Sequence, residues 1–311
     1  MAGENAAKRR RLFDEFVRQP GHQDLTQGRY FFCPLCRRPF ERDATVGDIP
    51  LLTLAHIIPE SLGGTWTTLA CAECNNGHGH AIEADFLTSH RITDWAAGRG
   101  VVDVRMGETR KVRAESVRIP EANNLSFKII TPMTNPAVRE HKKHVEEITQ
   151  NPANAKPFQF TIPWYRPNWC WAAVCQSAYL LMFSHFGYDF ARHPSYELLS
   201  EQVRKPDERI WVGNIHVVDE REAAKLLQGN QAAVVFMRGA LRAILAVMRF
   251  QSPGGANQVL SVMLPGLGEA MHAHQESMTF TPAVVPYEPE FMTTVQGFFW
   301  WRWNDWIRNY R

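Results

Sequence analysis

The sequence of 311 residues contains no long apolar run, no repeat and no low-complexity segment. No stretch approaches the roughly 18 consecutive apolar residues of a membrane-spanning helix. The nearest one, WAAVCQSAYLLMF at 171–183, is interrupted by polar side chains. The first residues, MAGENAAKRR, include no apolar segment, so we expect no secretory signal. These absences predict a soluble, cytoplasmic protein without a membrane partner.

The sequence also lacks a strong charge of either sign. Its formal net charge is only +2, so overall charge does not indicate a nucleic-acid partner. The short basic clusters at 8–11, 37–38 and 142–143 are typical of solvated surfaces. Hydrophobic residues make up 45% of the chain, which is enough for a substantial core and favours more than one domain.

The sequence has few cysteines, and most of them lie in Cys-x-x-Cys motifs. Four of the six cysteines form two Cys-x-x-Cys pairs, Cys33 with Cys36 and Cys71 with Cys74. In a reducing compartment, such pairs favour metal binding over disulfides. Two of them supply the four sulfurs of a tetrahedral zinc, so we predict a structural Zn²⁺ site. A zinc bound by four cysteines has no open position and cannot activate water, so any chemistry needs other ligands.

Polar residues concentrate around the second cysteine pair. Before it, LLTLAHIIPESLGGTWTTLA predicts a strand that ends at His56, a break at Pro59 and a tight turn at Gly63-Gly64. After it, the sequence CNNGHGH leads into AIEADFLTSH, whose apolar spacing is helical. We therefore expect His56 to lie near the start of that helix. The N-terminus of a helix also binds anions such as phosphate favourably.

The combination of AHIIPESLGG with CAECNNGHGHAIE resembles the HNH endonuclease family, the zinc-ribbon kind of ββα-metal nuclease, over residues 30–90. The resemblance implies that His56 is the general base for phosphodiester hydrolysis and that Asn75 helps bind one catalytic divalent ion, Mg²⁺ or Mn²⁺. It implies that His78 or His80 completes the site, as a metal ligand or a phosphate contact. Glu83 matches an acidic position on the helix and is a further candidate ligand.

Two positions depart from the family pattern. Many members carry an aspartate just before the base, where this sequence has Ala55, and Trp66 stands near the usual middle asparagine. Two hypotheses follow. The first is a metal-dependent DNA endonuclease or nickase with one metal ion, a histidine base and a structural zinc. The second is a nucleic-acid-binding or adaptor protein that keeps the HNH fold without turnover.

The remaining sequence predicts a mixed α+β region. The stretches VVDVRM, KVRAESVRI, LSFKIIT and FQFTI are typical of strands, and PAVREHKKHVEEITQ at 136–150 is typical of a charged helix. Residues 168–187 predict a buried helix that includes Cys170 and Cys175 as core residues, and the tail at 297–310 is rich in tryptophan. The predicted fold class is therefore α+β, a small zinc-bound HNH module followed by a larger mixed α+β domain.

The predicted domains are a basic N-terminal helix at 1–27, the HNH module at 28–97 and an α+β domain at 98–311. The last could grip DNA, sense a signal, or dock a protein partner or a second copy of the chain. Microbial HNH proteins with an added domain often act in restriction or anti-phage defence, so the resemblance suggests that context.

Overall fold

The computed structural model describes residues 2–19, 22–23, 26–47, 49–106, 110–119, 124–131, 134, 136–151, 160–211, 215–237, 243–265 and 284–287. It forms two compact units. The first comprises residues 1–83, 168–250 and 258–311, and the second comprises 84–167 and 251–257. The predicted tryptophan-rich tail at 297–310 lies outside the described residues. The domain boundaries expected from the sequence stay a prediction.

Six α-helices have bounds within the described residues. They are α1 (Ala2–Val17), α2 (His80–Ala96), α3 (Pro136–Gln150), α4 (Pro167–Ala191), α5 (Glu197–Arg204) and α6 (Glu220–Leu227). A π-helix, Glu73–Gly79, directly precedes α2. Among the described helices, none is long and apolar enough to cross a bilayer.

The first unit contains two hairpin-like pairs and one larger sheet. The strands of the pairs are β1 (Phe31–Phe32) with β2 (Pro39–Phe40), and β3 (Leu52–His56) with β4 (Thr67–Cys71). The larger sheet contains β9 (Ile215–Val217), β10 (Ala232–Met237), β11 (Ile244–Gln251), β12 (Asn257–Leu264) and β13 (Val284–Tyr287). Its strand order is β13-β10-β11-β12-β9, and β11 and β12 begin or end in the second unit.

The second unit is built on a four-stranded sheet in the order β7-β6-β5-β8. Its strands are β5 (Val101–Met106), β6 (Arg110–Ile119), β7 (Asn124–Ile129) and β8 (Phe160–Thr161). Side chains of β5 alternate between buried and exposed, as expected for a sheet with one covered face. The covered face packs Val102, Val104 and Val112 with Val138 of α3 and Trp95 of α2.

An aromatic cluster ties the N-terminal helix and the first knuckle to helix α4. Phe16 of α1 stacks on Phe183 of α4 with ring centroids 4.5 Å apart, and Phe31 lies 5.8 Å from Phe16. The Tyr188 hydroxyl accepts a hydrogen bond from the Phe32 N–H and donates one to the Phe32 carbonyl. The metal-binding segment thus shares its core with residues more than 100 positions further along the chain.

Several sequence predictions are confirmed. The charged helix at 136–150, the strands at 101–106 and 111–119 and the overall α+β class match the described structure. Helix α4 is buried as expected, and its helical geometry breaks at Gly187, where the sequence predicts the helix to end. The chain adopts φ +55° there, which glycine allows, and helical turns resume up to Ala191. Strand β11 and helix α6 were not predicted. The burial of β11 is almost continuous, so it lacks the alternation that marks a half-exposed strand.

Candidate active site and zinc centre

The two Cys-x-x-Cys knuckles bring four sulfurs together. The Sγ atoms of Cys33, Cys36, Cys71 and Cys74 all lie within 4.8 Å of one another. Those of Cys36 and Cys71 are 3.7 Å apart, far longer than a disulfide bond. Zinc–sulfur bonds of about 2.3 Å place the sulfurs of a tetrahedral site about 3.8 Å apart. The cluster therefore fits a zinc ion, as predicted from the spacing.

Backbone and side-chain donors surround this cluster. The backbone N–H of Cys71 donates to Cys33 Sγ at 3.4 Å, and that of Cys74 donates to Cys71 Sγ at 3.5 Å. Arg38 donates from Nε to Cys36 Sγ at 3.4 Å and forms an ion pair with Glu73. Hydrogen bonds from Cys33 and the other cysteines, and then from Arg38, lower the pKa of Cys36, whereas hydrogen bonds within the same cluster raise the pKa of Cys33 and Cys74. Such donors stabilise the thiolates that zinc requires.

The candidate base lies at the end of a short antiparallel hairpin. Strand β3 pairs with β4 so that His56 lies opposite Thr67 and Leu52 lies opposite Cys71. The His56 side chain is half-buried, whereas Ala55 is 1% exposed and belongs to the core. The position where many HNH nucleases carry aspartate is therefore occupied by a buried methyl group.

The loop after His56 is tightly constrained. The Gly64 N–H donates to the Pro59 carbonyl at 3.0 Å. A Cβ atom on Gly64 would lie 1.7 Å from the Ile58 carbonyl oxygen, so only glycine fits there. Gln231, just before β10, holds the same loop, because its Oε1 accepts from the Thr65 N–H at 3.1 Å and its Nε2 donates to the Gly63 carbonyl.

Asn75 lies in the π-helix that follows the second knuckle. Its Nδ2 donates to Thr53 Oγ1 and to the Leu54 carbonyl, each at 3.1 Å. Both acceptors belong to β3, the strand that ends at His56. Because both amide hydrogens are used, the orientation of the side chain is fixed, and its Oδ1 is the atom left to accept or to bind a cation.

The other candidate ligands differ in their surroundings. His80 is exposed at the start of α2, and the side chain of His78 lies outside the described residues. Glu83 is half-buried one turn into α2, and burial raises its pKa to about 7. Buried carboxylates resist ionisation unless a cation or hydrogen-bond donors lie close by.

Glu83 has a buried polar neighbour. A Cβ atom on Gly79 would lie 3.6 Å from Gln176 Nε2 and 4.0 Å from Glu83 Oε1, so both groups face the same stretch of backbone. Gln176 of α4 is 5% exposed, and its Oε1 accepts no hydrogen bond from the described residues. A neutral amide and a carboxyl group thus lie beneath the first turn of α2.

The structure brings some predicted site residues together and leaves others apart. The four cysteines form one cluster, and Asn75 is joined to the strand of His56. Among the residues that the structure describes, no group of three His, Asp or Glu side chains is close enough to share a metal. The metal-ligand roles of Asn75, His78, His80 and Glu83 therefore stay predictions.

Comparison with protein families identifies the segment that carries this arrangement. Residues 33–90 match the HNH endonuclease family. The match covers both knuckles, the β3–β4 hairpin and most of α2, and it confirms the resemblance seen in the sequence. It indicates a nuclease, a hydrolase in general, with a nucleic acid as the substrate class. No curated protein and no solved structure shows significant similarity to the chain.

Sequence reasoning missed three residues that support this segment. Arg38 was grouped with Arg37 as a solvated basic pair, although its position two residues after Cys36 places it beside the thiolates. Gln231 and Gln176 were not singled out, because they contact the HNH segment from more than 90 residues away. Only Arg38 had a local signal that could have identified it.

Proposed function

We propose that the protein is a metal-dependent endonuclease or nickase that hydrolyses phosphodiester bonds of DNA with His56 as the general base. The observation that carries the proposal is the pair of hydrogen bonds from Asn75 to strand β3. They tie the turn after the second knuckle to the strand that ends at His56. Hydrolysis with one metal ion needs a base and a metal-binding oxygen held in fixed relative positions, and His56 and Asn75 would supply them.

In this mechanism, His56 takes a proton from the water that attacks phosphorus, and imidazole exchanges protons readily near neutral pH. Asn75 contributes Oδ1 to the cation, in an orientation fixed by its two donor hydrogen bonds. A bound Mg²⁺ or Mn²⁺ supplies stabilisation of the charge that develops on the phosphate and on the leaving 3′ oxygen. The zinc held by Cys33, Cys36, Cys71 and Cys74 has a structural role only.

The π-helix favours His80 over His78 as the third site residue. In an α-helix of 3.6 residues per turn, residues five apart are separated by about 1.4 turns. In a π-helix, backbone hydrogen bonds join residues five apart, so they lie about one turn apart on a common face. Since Glu73–Gly79 is π-helical, His80 follows Asn75 by about one turn. Glu83 is the second candidate ligand, since a cation would relieve the cost of its buried charge.

One finding favours the alternative of a nucleic-acid-binding or adaptor protein without turnover. Ala55 is part of the core, so no carboxylate is present just before His56 to share the metal. The remaining ligands must then suffice. We also propose that the protein acts in the cytoplasm, in restriction or anti-phage defence, with a protein partner or a second copy bound through residues 98–311.

The test is nicking of supercoiled plasmid DNA with Mg²⁺ or Mn²⁺ by wild-type protein and by His56→Ala. We expect the variant to be slower by about 10²–10⁴-fold, the usual contribution of a general base. His193→Ala is the matched control, because His193 lies outside residues 33–90, where it caps a short turn and contacts Tyr196. Circular dichroism and zinc content must match in all three proteins.

Equal cleavage by wild type and His56→Ala would rule out His56 as the base. Absence of cleavage by the folded, zinc-loaded wild type with either metal, with and without added nucleic-acid ligands, would favour the adaptor alternative. Analysis of products on a denaturing gel separates nicking from double-strand cutting, since each active site of this kind cuts one strand.

A further inference from the structure

A large groove lies within the second unit, and of its lining residues only Thr88 belongs to the segment that matches the nuclease family. Its volume is about 790 Å³, within the range of roughly 300–1,000 Å³ typical of ligand sites. Its walls come from the C-terminal half of α2, residues 99–100, strand β5, Arg113 of β6, residues 161–164 and the turn at 253–254. All of these belong to the second unit.

The groove has an excess of positive charge. Four arginines line it: Arg91, Arg99, Arg105 and Arg113. Two carboxylates oppose them. Asp94 is buried and accepts a hydrogen bond from the Gly254 N–H at 2.9 Å. Asp103 pairs with Arg113 at 3.5 Å on the surface, where ion pairs are worth little.

Two of these arginines are available to a ligand. Arg91 and Arg105 are exposed, and neither forms an ion pair or a hydrogen bond with its side chain within the described part of the chain. Arg105 extends from the open face of β5, opposite Thr161 of β8. Guanidinium groups bind phosphate in a fixed, two-pronged geometry, so unpaired arginines along a groove are suited to a phosphate backbone.

An exposed tryptophan lies at the rim. Trp164 is 78% exposed and Ile162 is 37% exposed, although tryptophan is among the more buried residue types. The segment that carries Trp164 is anchored, because the N–H and Nε of Arg166 donate to the Asp85 carboxylate at 2.7 and 3.0 Å. Trp164 is therefore a large apolar ring presented to solvent on a fixed support.

We propose that this groove binds a single-stranded segment of nucleic acid, with its phosphates on Arg91 and Arg105 and an unpaired base stacked on Trp164. A basic channel with an aromatic platform is the general means of holding single strands without sequence preference, and stacking contributes about 1–3 kcal/mol per base. Paired bases of a duplex do not expose their faces for such stacking. The inference deepens the proposed nuclease function, since the strand held here belongs to the substrate.

The test is fluorescence anisotropy with labelled single-stranded DNA, the matching duplex as competitor, and no added Mg²⁺ or Mn²⁺. The protein is full-length, zinc-loaded His56→Ala, so that binding is measured without cleavage. The variants, each made in this background, are R91A/R105A, Trp164→Ala and Trp164→Phe. Arg221→Ala, an exposed arginine on α6, is the matched control.

We expect R91A/R105A to bind at least about 10-fold more weakly and to lower the salt slope by about 1.4, since each phosphate contact on a single strand contributes about 0.7. Loss of the ring in Trp164→Ala should weaken binding by about 5- to 150-fold. Trp164→Phe, which keeps a ring, should stay within about threefold, and Arg221→Ala should match the parent protein.

Unchanged affinity in R91A/R105A would overturn the proposal. So would equal binding of duplex and single strand with no effect of Trp164→Ala, because phosphate contacts alone would then explain binding. Full displacement of the strand by a mononucleotide at equal concentration would assign the groove to a free nucleotide instead. If the groove variants weaken binding but the wild type does not cleave plasmid DNA, the nuclease function is rejected and the groove proposal stands. If the wild type cleaves but the groove variants bind normally, the groove proposal is rejected and the nuclease function stands.

Discussion

The cysteine cluster and the candidate active site lie on the same segment, residues 33–90, yet their surroundings are opposite in character. The cysteines are mostly buried, their sulfurs converge within 4.8 Å, and backbone N–H groups and Arg38 donate to them. The active-site candidates are an exposed His80, half-buried Asn75 and His56, and a half-buried Glu83 whose pKa is raised by burial.

From this difference we expect the cysteine cluster to stabilise the fold and the proposed active site to lower its stability. A closed metal site adds its binding free energy to folding, because the unfolded chain holds no preformed site. A buried carboxyl group such as Glu83 lowers the stability of the folded state at neutral pH. Functional sites commonly carry such costs, which the surrounding structure offsets. Substitutions in each site test whether the cysteine cluster raises stability and the candidate active site lowers it.

The largest effect is expected from Cys36→Ser. Removing one thiolate opens the tetrahedral site, so zinc affinity and with it the folding of the HNH segment should be lost, lowering Tm by roughly 10 °C or more. Zinc content and thermal unfolding measure both. Cys170→Ser is the control, because Cys170 lies on α4 outside the cluster. Retention of full zinc and Tm in Cys36→Ser would show that the cluster does not carry stability.

Gly64→Ala comes next. The added Cβ would lie 1.7 Å from the Ile58 carbonyl oxygen, so the loop after His56 must move, at a cost of about 3 kcal/mol or more. Chemical denaturation measures the loss. Gly3→Ala serves as control, since a Cβ there meets no atom within 4 Å and alanine favours the helix. A loss below about 1 kcal/mol in Gly64→Ala would mean that the loop is adaptable.

Glu83→Gln should raise stability at high pH. Burial raises the pKa of Glu83 from 4.5 in the unfolded chain to about 7 in the folded one. Folding therefore favours the protonated carboxyl group. The contribution of Glu83 to the free energy of unfolding is fully present below pH 4.5 and is lost as the pH rises through 7. The variant should be more stable at pH 8 by at most about 3 kcal/mol, and equal at pH 4.

Chemical denaturation at pH 4 and pH 8 measures the difference in stability between wild type and Glu83→Gln. The same measurement with added Mg²⁺ tests whether Glu83 binds the ion. If Glu83 is a ligand of the catalytic ion, Mg²⁺ at pH 8 stabilises the wild type and leaves Glu83→Gln unaffected. Equal stabilisation of both proteins by Mg²⁺ would remove Glu83 from the ligand set.

The smallest effect on stability is expected from Asn75→Ala. It removes two hydrogen bonds to β3, each worth about 0.5–1.5 kcal/mol net, while leaving the cysteine cluster intact. Cleavage should fall by about 10²-fold or more, because the metal-binding oxygen and its fixed position are both lost. Asn76→Ala, at the exposed neighbouring position, should behave as wild type in both assays. A cleavage rate that stays near wild type in Asn75→Ala would exclude Asn75 from the site.

Sequence reasoning identified what depends on local spacing. The two cysteine pairs and the strand that ends at His56 are each encoded within a few residues, so spacing alone predicts the sulfur cluster and the strand, whereas the role of His56 as a base is implied by the family resemblance. Gln231 holds the Gly63-Gly64 turn from 168 positions away, and such a contact leaves no local pattern. The groove arginines are likewise separated along the chain, and only the folding of the second unit gathers them around Trp164.

The π-helix at Glu73–Gly79 has a consequence for how this segment should be compared with other proteins. A π-helical turn contains about one residue more than an α-helical turn. A one-residue insertion in this turn therefore leaves the side chains before and after it in the same positions. Counting helical turns rather than residues from Asn75 leads to His80, the partner proposed above. Alignments of this segment should therefore allow a one-residue gap before α2, and deletion of Gly77 should be tolerated only if α2 rotates by about 100° relative to β3.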